Sequence, residues 1–151
     1  MSDPALATDV AFHFGAPDPV GYACRLIRKA VNSGAKLVVT GLPQTLKQLD
    51  TDLWALSAVD FVPHCYLESD ARVLAGSPVV LAQSIETVPH SQVLLNLGPS
   101  VPEGFERFER VIEIVGLDDE DRQWARARWK HYTNLGYSIT RHDLAQKASN
   151  S

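Results

Sequence analysis

Residues 9–40 read DVAFHFGAPDPVGYACRLIRKAVNSGAKLVVT, and this stretch carries the strongest information about the fold of the 151-residue chain. Its first part, residues 9–15, is rich in strand-forming residues and ends at the breaker Gly-Ala-Pro-Asp-Pro. Asp18 is typical of a helix N-cap, and the apolar residues from Tyr22 to Val31 recur on one helical face. An apolar strand follows at residues 36–40. Strand, helix and strand within about 30 residues form a βαβ unit, which predicts a parallel sheet.

Further helices and strands follow this first unit. Leucines spaced three or four residues apart predict a second helix over residues 45–56, and the acids at residues 118–121 begin a long last helix that ends before Gly136. Pro63 places residues 60–64 in a loop. Buried strands are expected at residues 78–83, 93–97 and 109–115, and a short terminal extension at residues 137–140.

These elements predict an α/β protein with three layers, in which helices cover both faces of a mostly parallel central sheet. We expect one domain over residues 1–144 and a flexible C-terminal tail over residues 145–151, which are small and polar. The arrangement is Rossmann-like, but the first strand ends in FGAPDP and lacks the G-x-G-x-x-G turn that approaches a pyrophosphate. The expected fold is therefore a Rossmann-like domain without a nucleotide-binding loop.

The composition is that of a soluble globular protein. Hydrophobic residues make up 45% and charged residues 21% of the chain, and the net charge of -4 argues against a general DNA-coating role. Cys24 and Cys65 are too few for a disulfide framework and lack metal-ligand spacing, which favours a reduced cytoplasmic location. The first ten residues do not resemble a signal peptide, and no apolar run approaches the roughly 20 residues of a membrane span.

No set of catalytic or cofactor-binding residues is recognisable. The chain contains neither a G-K-[ST] phosphate loop nor a G-x-S-x-G nucleophile elbow. The neighbours His64 and Cys65 could form a thiol–imidazole pair, but a buried cysteine beside a structural histidine is the favoured interpretation. The acids at residues 118–121 indicate a helix N-terminus more than a magnesium site. We expect no enzymatic activity, no cofactor and no metal ion.

The last helix carries the most unusual pattern of the sequence. No acid occurs between Arg122 and His142, although the chain is acidic overall. Arg122, Arg126 and Lys130 are spaced four residues apart and therefore share one face of the helix, with Trp129 beside them. A basic stripe next to a large aromatic suits a ligand that presents both carboxylates and an apolar side chain. The structural alternative is a solvated face with Trp129 half buried.

A second candidate surface contains two large aromatics, Trp54 and Phe61. Trp54 lies off the leucine stripe of its helix, and Phe61 lies in the Pro-containing segment of residues 60–64. Large aromatics off the core face are typical anchors of protein interfaces. The alternative is that both side chains fold back onto the core of the chain itself.

Three motifs resemble those of the chi subunit of bacterial DNA polymerase III. They are LWALSAVDFVPH (residues 53–64), the strand pair LLNLG (residues 94–98) and RVIEIVG (residues 110–116), and ARARWKHYTNLGY (residues 125–137). The likeness extends from the first strand to about Leu144. It implies an α/β domain that has lost its nucleotide-binding loop and serves DNA replication as an accessory subunit of the polymerase without an active site.

The resemblance also implies two protein partners for this chain. One is the psi subunit of the clamp loader, expected on a surface formed by Trp54, Phe61, Val62, Pro63 and His64. The other is the acidic C-terminal tail of single-stranded DNA-binding protein. Its expected contacts are Arg126, Trp129 and Lys130 on the last helix and Val115 on the preceding strand, with Arg122 and Arg128 as helpers. Trp129 stands where a relative carries Tyr, and Gly116 where Pro can occur.

Other functions stay open on the sequence alone. The surface around Trp54 and Phe61 could serve a repair helicase instead of psi. The chain could also be a degenerate nucleotide-binding enzyme. Direct binding of single-stranded DNA is disfavoured, because the chain is negatively charged overall and one short basic stripe offers few phosphate contacts.

Overall fold

The computed structural model of this protein describes residues 7–56 and 62–144. Strands and helices alternate along these two segments, except that no α-helix separates the fourth, fifth and sixth strands; a short 3₁₀ helix at Phe105–Arg107 lies between the fifth and sixth. The elements are β1 (Asp9–Ala16), α1 (Pro19–Asn32), β2 (Leu37–Thr40), α2 (Pro43–Leu56), β3 (His64–Tyr66), α3 (Ala71–Gly76), β4 (Val79–Ala82), β5 (Val93–Asn96), β6 (Arg110–Gly116), α4 (Asp119–Asn134) and β7 (Ile139–Asp143).

The strands form one seven-stranded sheet in the order β3-β4-β2-β5-β6-β1-β7. Every pair of neighbours in this sheet is parallel, so the predicted parallel sheet is confirmed. Strand β1 lies between β6 and β7: Val10 is paired with Val111 on one side and with Ile139 on the other. The first strand of the chain and the last two are thereby neighbours, which places residues from distant parts of the sequence together.

Two apolar cores, one on each face of the sheet, confirm the three-layer architecture. On one face, Ile27 of α1 and Leu49 and Leu53 of α2 are fully buried. On the other face, Tyr132 of α4 and Phe105 of the 3₁₀ helix are buried against the sheet. Since both faces are covered, β2 and β4 consist entirely of buried residues and read as unbroken apolar runs.

The ends of α1 follow the sequence signals. Asp18 caps the helix, since its Oδ1 accepts a hydrogen bond from the backbone N–H of Gly21 at 3.1 Å, and Pro19 occupies the first helical position. At the other end, Gly34 has a φ of 91°, a left-handed conformation that glycine adopts without steric cost. The predicted N-cap is confirmed, and Gly34 follows the C-terminal end of the helix.

The region after α2 differs from the prediction. His64 was predicted to lie in a loop, but it is the first residue of the edge strand β3. Strand pairing with β4 therefore begins directly after Pro63. A proline just outside the strand removes no ladder hydrogen bond, so Pro63 marks the start of the strand. Residues 57–61, which include the predicted interface residue Phe61, lie outside the described residues. The short helix α3, capped by Asp70, was not predicted.

The C-terminal region contains more regular structure than expected. The predicted extension at residues 137–140 is the strand β7, which spans Ile139–Asp143 and pairs with β1 along its whole length. The predicted tail over residues 145–151 lies outside the described residues. Within the described segments, the structure contains no helix with the length and apolar character that a membrane crossing requires.

Candidate functional site

A cavity of about 460 Å³ lies between α4 and the β7 edge of the sheet. Its apolar walls come from β1, β6 and α4, and its charged lining comes from α4 and β7. The apolar residues are Phe12, Phe14, Val115, Ala125 and Trp129, and the charged residues are Arg122, Arg126 and Arg141. We call this cavity the arginine pocket. Its position follows from the strand order, since β1, β6 and β7 are neighbours only in the folded sheet.

The aromatic walls of the arginine pocket are fixed by packing on the core. Phe12 and Phe14 alternate along β1 and therefore face the same side of the sheet. The buried ring of Phe12 meets the ring of Trp129 edge to face, with centroids 5.1 Å apart. Trp129 is half buried and packs on the core beneath α4. One side of its indole thus faces the pocket while the rest of the ring is held in place.

Three guanidinium groups line the pocket, and no acidic residue of the described segments lines it. Arg122 and Arg126 are exposed on α4. Arg122 lies 3.9 Å from Asp119 in an exposed ion pair, and such a pair contributes little to the free energy of unfolding. The Arg141 guanidinium lies 5.2 Å from the ring centroid of Phe14 and 5.8 Å from that of Trp129. The pocket is therefore locally cationic in a chain of net charge -4.

The start of α4 is fixed against the end of β6, and this contact sets the pocket rim. The backbone N–H of Gly116 donates a hydrogen bond to Asp121 Oδ2 at 2.6 Å. A Cβ at Gly116 would lie 3.0 Å from Pro19 and 3.2 Å from Asp121, so this position has little room for a side chain. Glycine therefore allows α4 to approach the strand closely and brings its first arginines over the pocket.

Three of the four residues matched to the tail contacts line the pocket: Val115, Arg126 and Trp129. Lys130 is exposed but does not line it. The predicted basic stripe is thus divided, because a step of four residues rotates around an α-helix by about 40° beyond a full turn. Arg122, at the other end of the stripe, does line the pocket.

Arg128 corrects the prediction, because its side chain lies beneath α4, away from the arginine pocket. It is only 2% exposed, and its Nε donates to Glu113 Oε1 at 2.8 Å. The Tyr132 hydroxyl donates to Glu113 Oε2 at 2.7 Å, and Asn96 Nδ2 donates to the same carboxylate at 3.0 Å. We call these four residues the Glu113 network. Arg128 is committed to this network, so its assignment as a helper in tail binding is wrong.

Burial governs the proton affinities in the Glu113 network. Loss of hydration raises the pKa of Glu113 above its ordinary value of 4.5, while the charge of Arg128 and the hydrogen bonds from Tyr132, Asn96 and Arg128 partly oppose this shift. Burial and the neighbouring carboxylate likewise raise the pKa of the Tyr132 hydroxyl, which stays a hydrogen-bond donor. A buried ion pair with these additional donors holds α4 in a single orientation on the sheet.

The pocket residues that the sequence analysis did not predict lie mainly on β1 and β7, two neighbouring strands at the sheet edge. Phe12 and Phe14 belong to β1, and Arg141 belongs to β7. The sequence shows that the two phenylalanines alternate along a strand, but it does not show that β1 pairs with β6 and β7. Arg141 lay in the acid-free span without any signal that it would face Trp129.

The second predicted surface is centred on Trp54, which is 51% exposed on α2. Its ring contacts that of His64 in a tilted arrangement, with centroids 4.8 Å apart and an interplanar angle of 52°. Val62 and His64 are themselves buried and Pro63 is half buried, so these residues lie beneath or beside the tryptophan. Phe61 lies outside the described residues. The structure therefore presents Trp54 as the exposed aromatic of this surface.

His64 and Cys65 do not form a thiol–imidazole pair, the alternative that the sequence disfavoured. His64 Nδ1 bonds the carbonyl oxygen of Val62 at 2.8 Å, and its Nε2 bonds Asp50 Oδ1 at 2.9 Å. Both ring nitrogens are thus engaged with groups other than the thiol of Cys65. In the described part of the chain, no cluster of three or more His, Cys, Asp or Glu side chains could hold a metal ion.

These features define a class: a three-layer α/β domain with an exposed, arginine-lined apolar pocket on one sheet edge. The family model described as DNA polymerase III chi subunit, HolC matches residues 7–140, and the chain belongs to this family. It is 32% identical to DNA polymerase III subunit chi of Pseudomonas aeruginosa over 123 aligned residues. The alignment covers 81% of this chain and 84% of that protein. It is 27% identical over 118 residues to that of Escherichia coli, covering 77% and 79%.

A solved structure supports the fold assignment. A variant of the C-terminal domain of S. cerevisiae Dbp5, solved bound to Gle1 and IP6, matches with a TM-score of 0.60 and 11% identity. The match covers 89% of this chain and 90% of that one. At this identity the likeness concerns the α/β fold alone.

Proposed function

We propose that this chain is a non-catalytic adaptor of the DNA polymerase III holoenzyme with two separate docking sites. The arginine pocket binds the acidic C-terminal tail of single-stranded DNA-binding protein, and the Trp54 surface binds the psi subunit of the clamp loader. The observation that carries the first part is the meeting of Val115, Arg126 and Trp129 in one pocket lined by arginines and apolar groups. Family membership supports the role in replication.

The chemistry of the pocket suits an acidic peptide that ends in an aromatic residue. Its apolar walls offer a place for the terminal ring, while Arg126 and its neighbours supply charge-assisted hydrogen bonds to carboxylates. Exposed charges mainly raise the association rate, and the buried ring sets the residence time. A single short tail should bind with about micromolar affinity, or about -8 kcal/mol. Several tails on one coat protein would bind more tightly through multivalency.

The spacing of the two sites supports an adaptor that holds both partners together. Trp54 contacts the ring of His64 of β3, whereas the pocket includes Arg141 of β7. Strands β3 and β7 are the opposite edges of the sheet, separated by six interstrand spacings. At about 4.8 Å each, these spacings place the two edges about 29 Å apart. A peptide in one site would not block a partner on the other.

Titration of a fluorescent acidic tail peptide tests the first site. Arg126→Ala should weaken binding by about 1–3 kcal/mol, because it removes a charge-assisted contact. Arg25→Ala is the matched control, since Arg25 is an exposed arginine on α1, on the other face of the sheet. Equal affinities for the wild-type chain and the Arg126 variant would refute the pocket as the tail site.

Co-purification with psi tests the second site. Trp54→Ala should abolish recovery of psi and leave tail binding intact, because the side chain is an exposed anchor. Phe61→Ala, outside the described residues, should behave in the same way. Leu135→Ala is a control that removes an exposed apolar side chain at the end of α4. Retention of psi by the Trp54 variant would reject this surface, and recovery of a helicase in place of psi would reassign it.

The local structure at the end of β1 argues against the nucleotide-binding alternative. A dinucleotide pyrophosphate would need the free N–H groups at the start of α1. The side chain of Asp18 occupies that position and bonds Gly21, so an anion would meet a carboxylate there. We expect no thermal shift with Mg-ATP; a clear increase in melting temperature would favour a nucleotide-binding function instead.

A further inference from the structure

A second cavity, of about 570 Å³, lies on the other flank of α4 from the arginine pocket. Its walls are the loop that follows β5, residues 99–106, and the α4 residues Ala127, His131 and Leu135. These three are spaced four residues apart and therefore form one strip along the helix. His131 follows Arg126 by five residues, or about 140° around the helix, so the strip faces away from the arginine pocket. We call this cavity the loop groove.

The loop wall of the groove is fixed by buried side chains. Asn96 Nδ2 donates a hydrogen bond to the carbonyl oxygen of Ser100 at 2.9 Å. Arg128 Nη1 donates to the carbonyl oxygen of Pro99 at 3.2 Å. The ring of Phe105 is buried in the core on this face of the sheet. A ligand would therefore enter a groove whose shape exists before binding, which lowers the entropic cost of association.

The exposed lining of the loop groove is acidic and apolar. Glu103 and Glu106 are exposed on the loop, and neither forms an ion pair with a described residue. Leu135 is 50% exposed on the helix. Among the described residues that line the groove, the only arginine or lysine is Arg128, whose charge is paired with Glu113. The two flanks of α4 thus carry opposite charge.

The groove also contains a hydrogen-bond donor without an acceptor. Arg128 lines the groove, is almost fully buried, and its Nη2 has no hydrogen-bond partner among the described residues. A buried donor without an acceptor is costly, so a ligand that supplies an oxygen there gains stability. A ligand carboxylate is disfavoured, because Glu103 and Glu106 repel it. A neutral carbonyl oxygen, such as that of a peptide bond, meets this requirement.

We propose that the loop groove is a third docking site, which binds an extended segment of a partner protein with basic side chains next to apolar ones. The apolar side chains lie against Ala127 and Leu135, and the basic side chains lie beside Glu103 and Glu106. A backbone carbonyl oxygen of the segment accepts a hydrogen bond from Arg128 Nη2. A nucleic acid is disfavoured in this groove, since its phosphates would meet two carboxylates.

The apolar strip extends beyond the groove, which supports a partner longer than the cavity itself. Trp124 lies three residues before Ala127, on the same side of α4, and is 39% exposed. Large exposed aromatics are typical anchors of protein interfaces. This site is separate from those proposed for the acidic tail and for psi, so it stands or falls independently of them.

Fluorescence anisotropy with a labelled peptide, Arg-Leu-Arg-Leu-Arg with both ends blocked, tests the charged part of the site. The double variant Glu103→Lys/Glu106→Lys should bind this peptide about tenfold more weakly than wild type, because attraction becomes repulsion. Glu68→Lys/Glu109→Lys is the matched control: it changes the net charge equally, at two exposed glutamates outside the groove. It should weaken binding less than about threefold. Equal losses in the two double variants would refute the groove.

A second comparison tests the apolar part. The same peptide with serine in place of leucine should bind wild type about fivefold more weakly, because less apolar surface is buried. Leu135→Ser should lose a similar factor with the leucine peptide and lose little more with the serine peptide. Equal affinities of the two peptides for wild type would show a general attraction of basic peptides and reject the site, whether or not the variants fold.

Sedimentation velocity distinguishes a partner segment from a second copy of this chain. Wild type should sediment as a monomer at the concentrations of the peptide titration. A dimer that dissociates in Glu103→Lys/Glu106→Lys but persists in Glu68→Lys/Glu109→Lys would mean that a second copy occupies the groove, and the proposed partner segment would be wrong.

Discussion

The two sides of α4 place chemically identical side chains in opposite environments. Arg126 is exposed and lines the arginine pocket, whereas Arg128, two residues later, is 2% exposed and paired with Glu113. Two residues correspond to about 200° around a helix, so the two side chains point in nearly opposite directions. A cluster of arginines in a sequence is therefore not one site; the surroundings of each residue determine its role.

The contrast follows from what the sheet presents to each side of the helix. Beneath α4, Glu113 of β6 is fully buried and requires a cation and hydrogen-bond donors, which Arg128, Tyr132 and Asn96 supply. Toward β7, no described acid lines the pocket and the arginines remain available to a ligand. Mutations on the buried side of α4 should therefore change stability, and mutations on the side facing the arginine pocket should change ligand binding.

The largest effect is expected for Glu113→Ala. The substitution leaves Arg128 buried without its carboxylate, which should lower the free energy of unfolding by about 3–5 kcal/mol. Urea denaturation followed by circular dichroism measures this loss. Glu109→Ala removes an exposed glutamate next to the same strand and should change the stability little. Similar values for the two variants would mean that the Glu113 network does not stabilise α4.

Tyr132→Phe should have an intermediate effect. It removes one hydrogen bond to the buried carboxylate while keeping the ring that packs on Phe12 and Phe105. Hydrogen bonds to charged groups contribute about 1.5–3 kcal/mol, and we expect a stability loss in this range. Tail-peptide affinity should be unchanged, because Tyr132 does not line the arginine pocket. A loss of binding without a loss of stability would contradict the separation of the two sides.

The pH dependence of stability should also distinguish the buried side. Burial raises the pKa of Glu113, so the folded chain holds the proton more tightly than the unfolded chain does. The contribution of Glu113 to the free energy of unfolding is therefore complete below its ordinary pKa of 4.5. It declines as the pH rises through the raised pKa of the folded chain. The stability of wild type relative to Glu113→Gln should fall over this interval. A relative stability that increases with pH would show that Arg128 lowers the pKa instead.

The smallest effect on stability is expected on the exposed side of the helix. Arg126→Ala should change the free energy of unfolding by less than about 0.5 kcal/mol, because the side chain is exposed and no described residue forms an ion pair with it. The same denaturation assay, run beside the Glu113 variants, checks this value. A loss comparable to that of Glu113→Ala would indicate that Arg126 belongs to the structural network.

Local sequence signals predicted the elements whose ends are determined locally. Asp18 and the βαβ pattern placed α1 between β1 and β2, and the apolar runs predicted the parallel strands β2, β4, β5 and β6. Val115, Arg126 and Trp129, which the resemblance implied as tail contacts, line one pocket. Strand β3 was missed because three residues after a proline give too short a pattern to recognise.

The sequence by itself determined the fold class, the family and the unusual helix, because periodicity, caps and motifs are properties of neighbouring residues. Only the tertiary structure decided which arginines are available to a ligand. Glu113, Phe12 and Arg141 come from different strands, and their distances to α4 depend on the order of those strands in the sheet. Burial and pairing of a charge are set by such long-range neighbours, which no local pattern records.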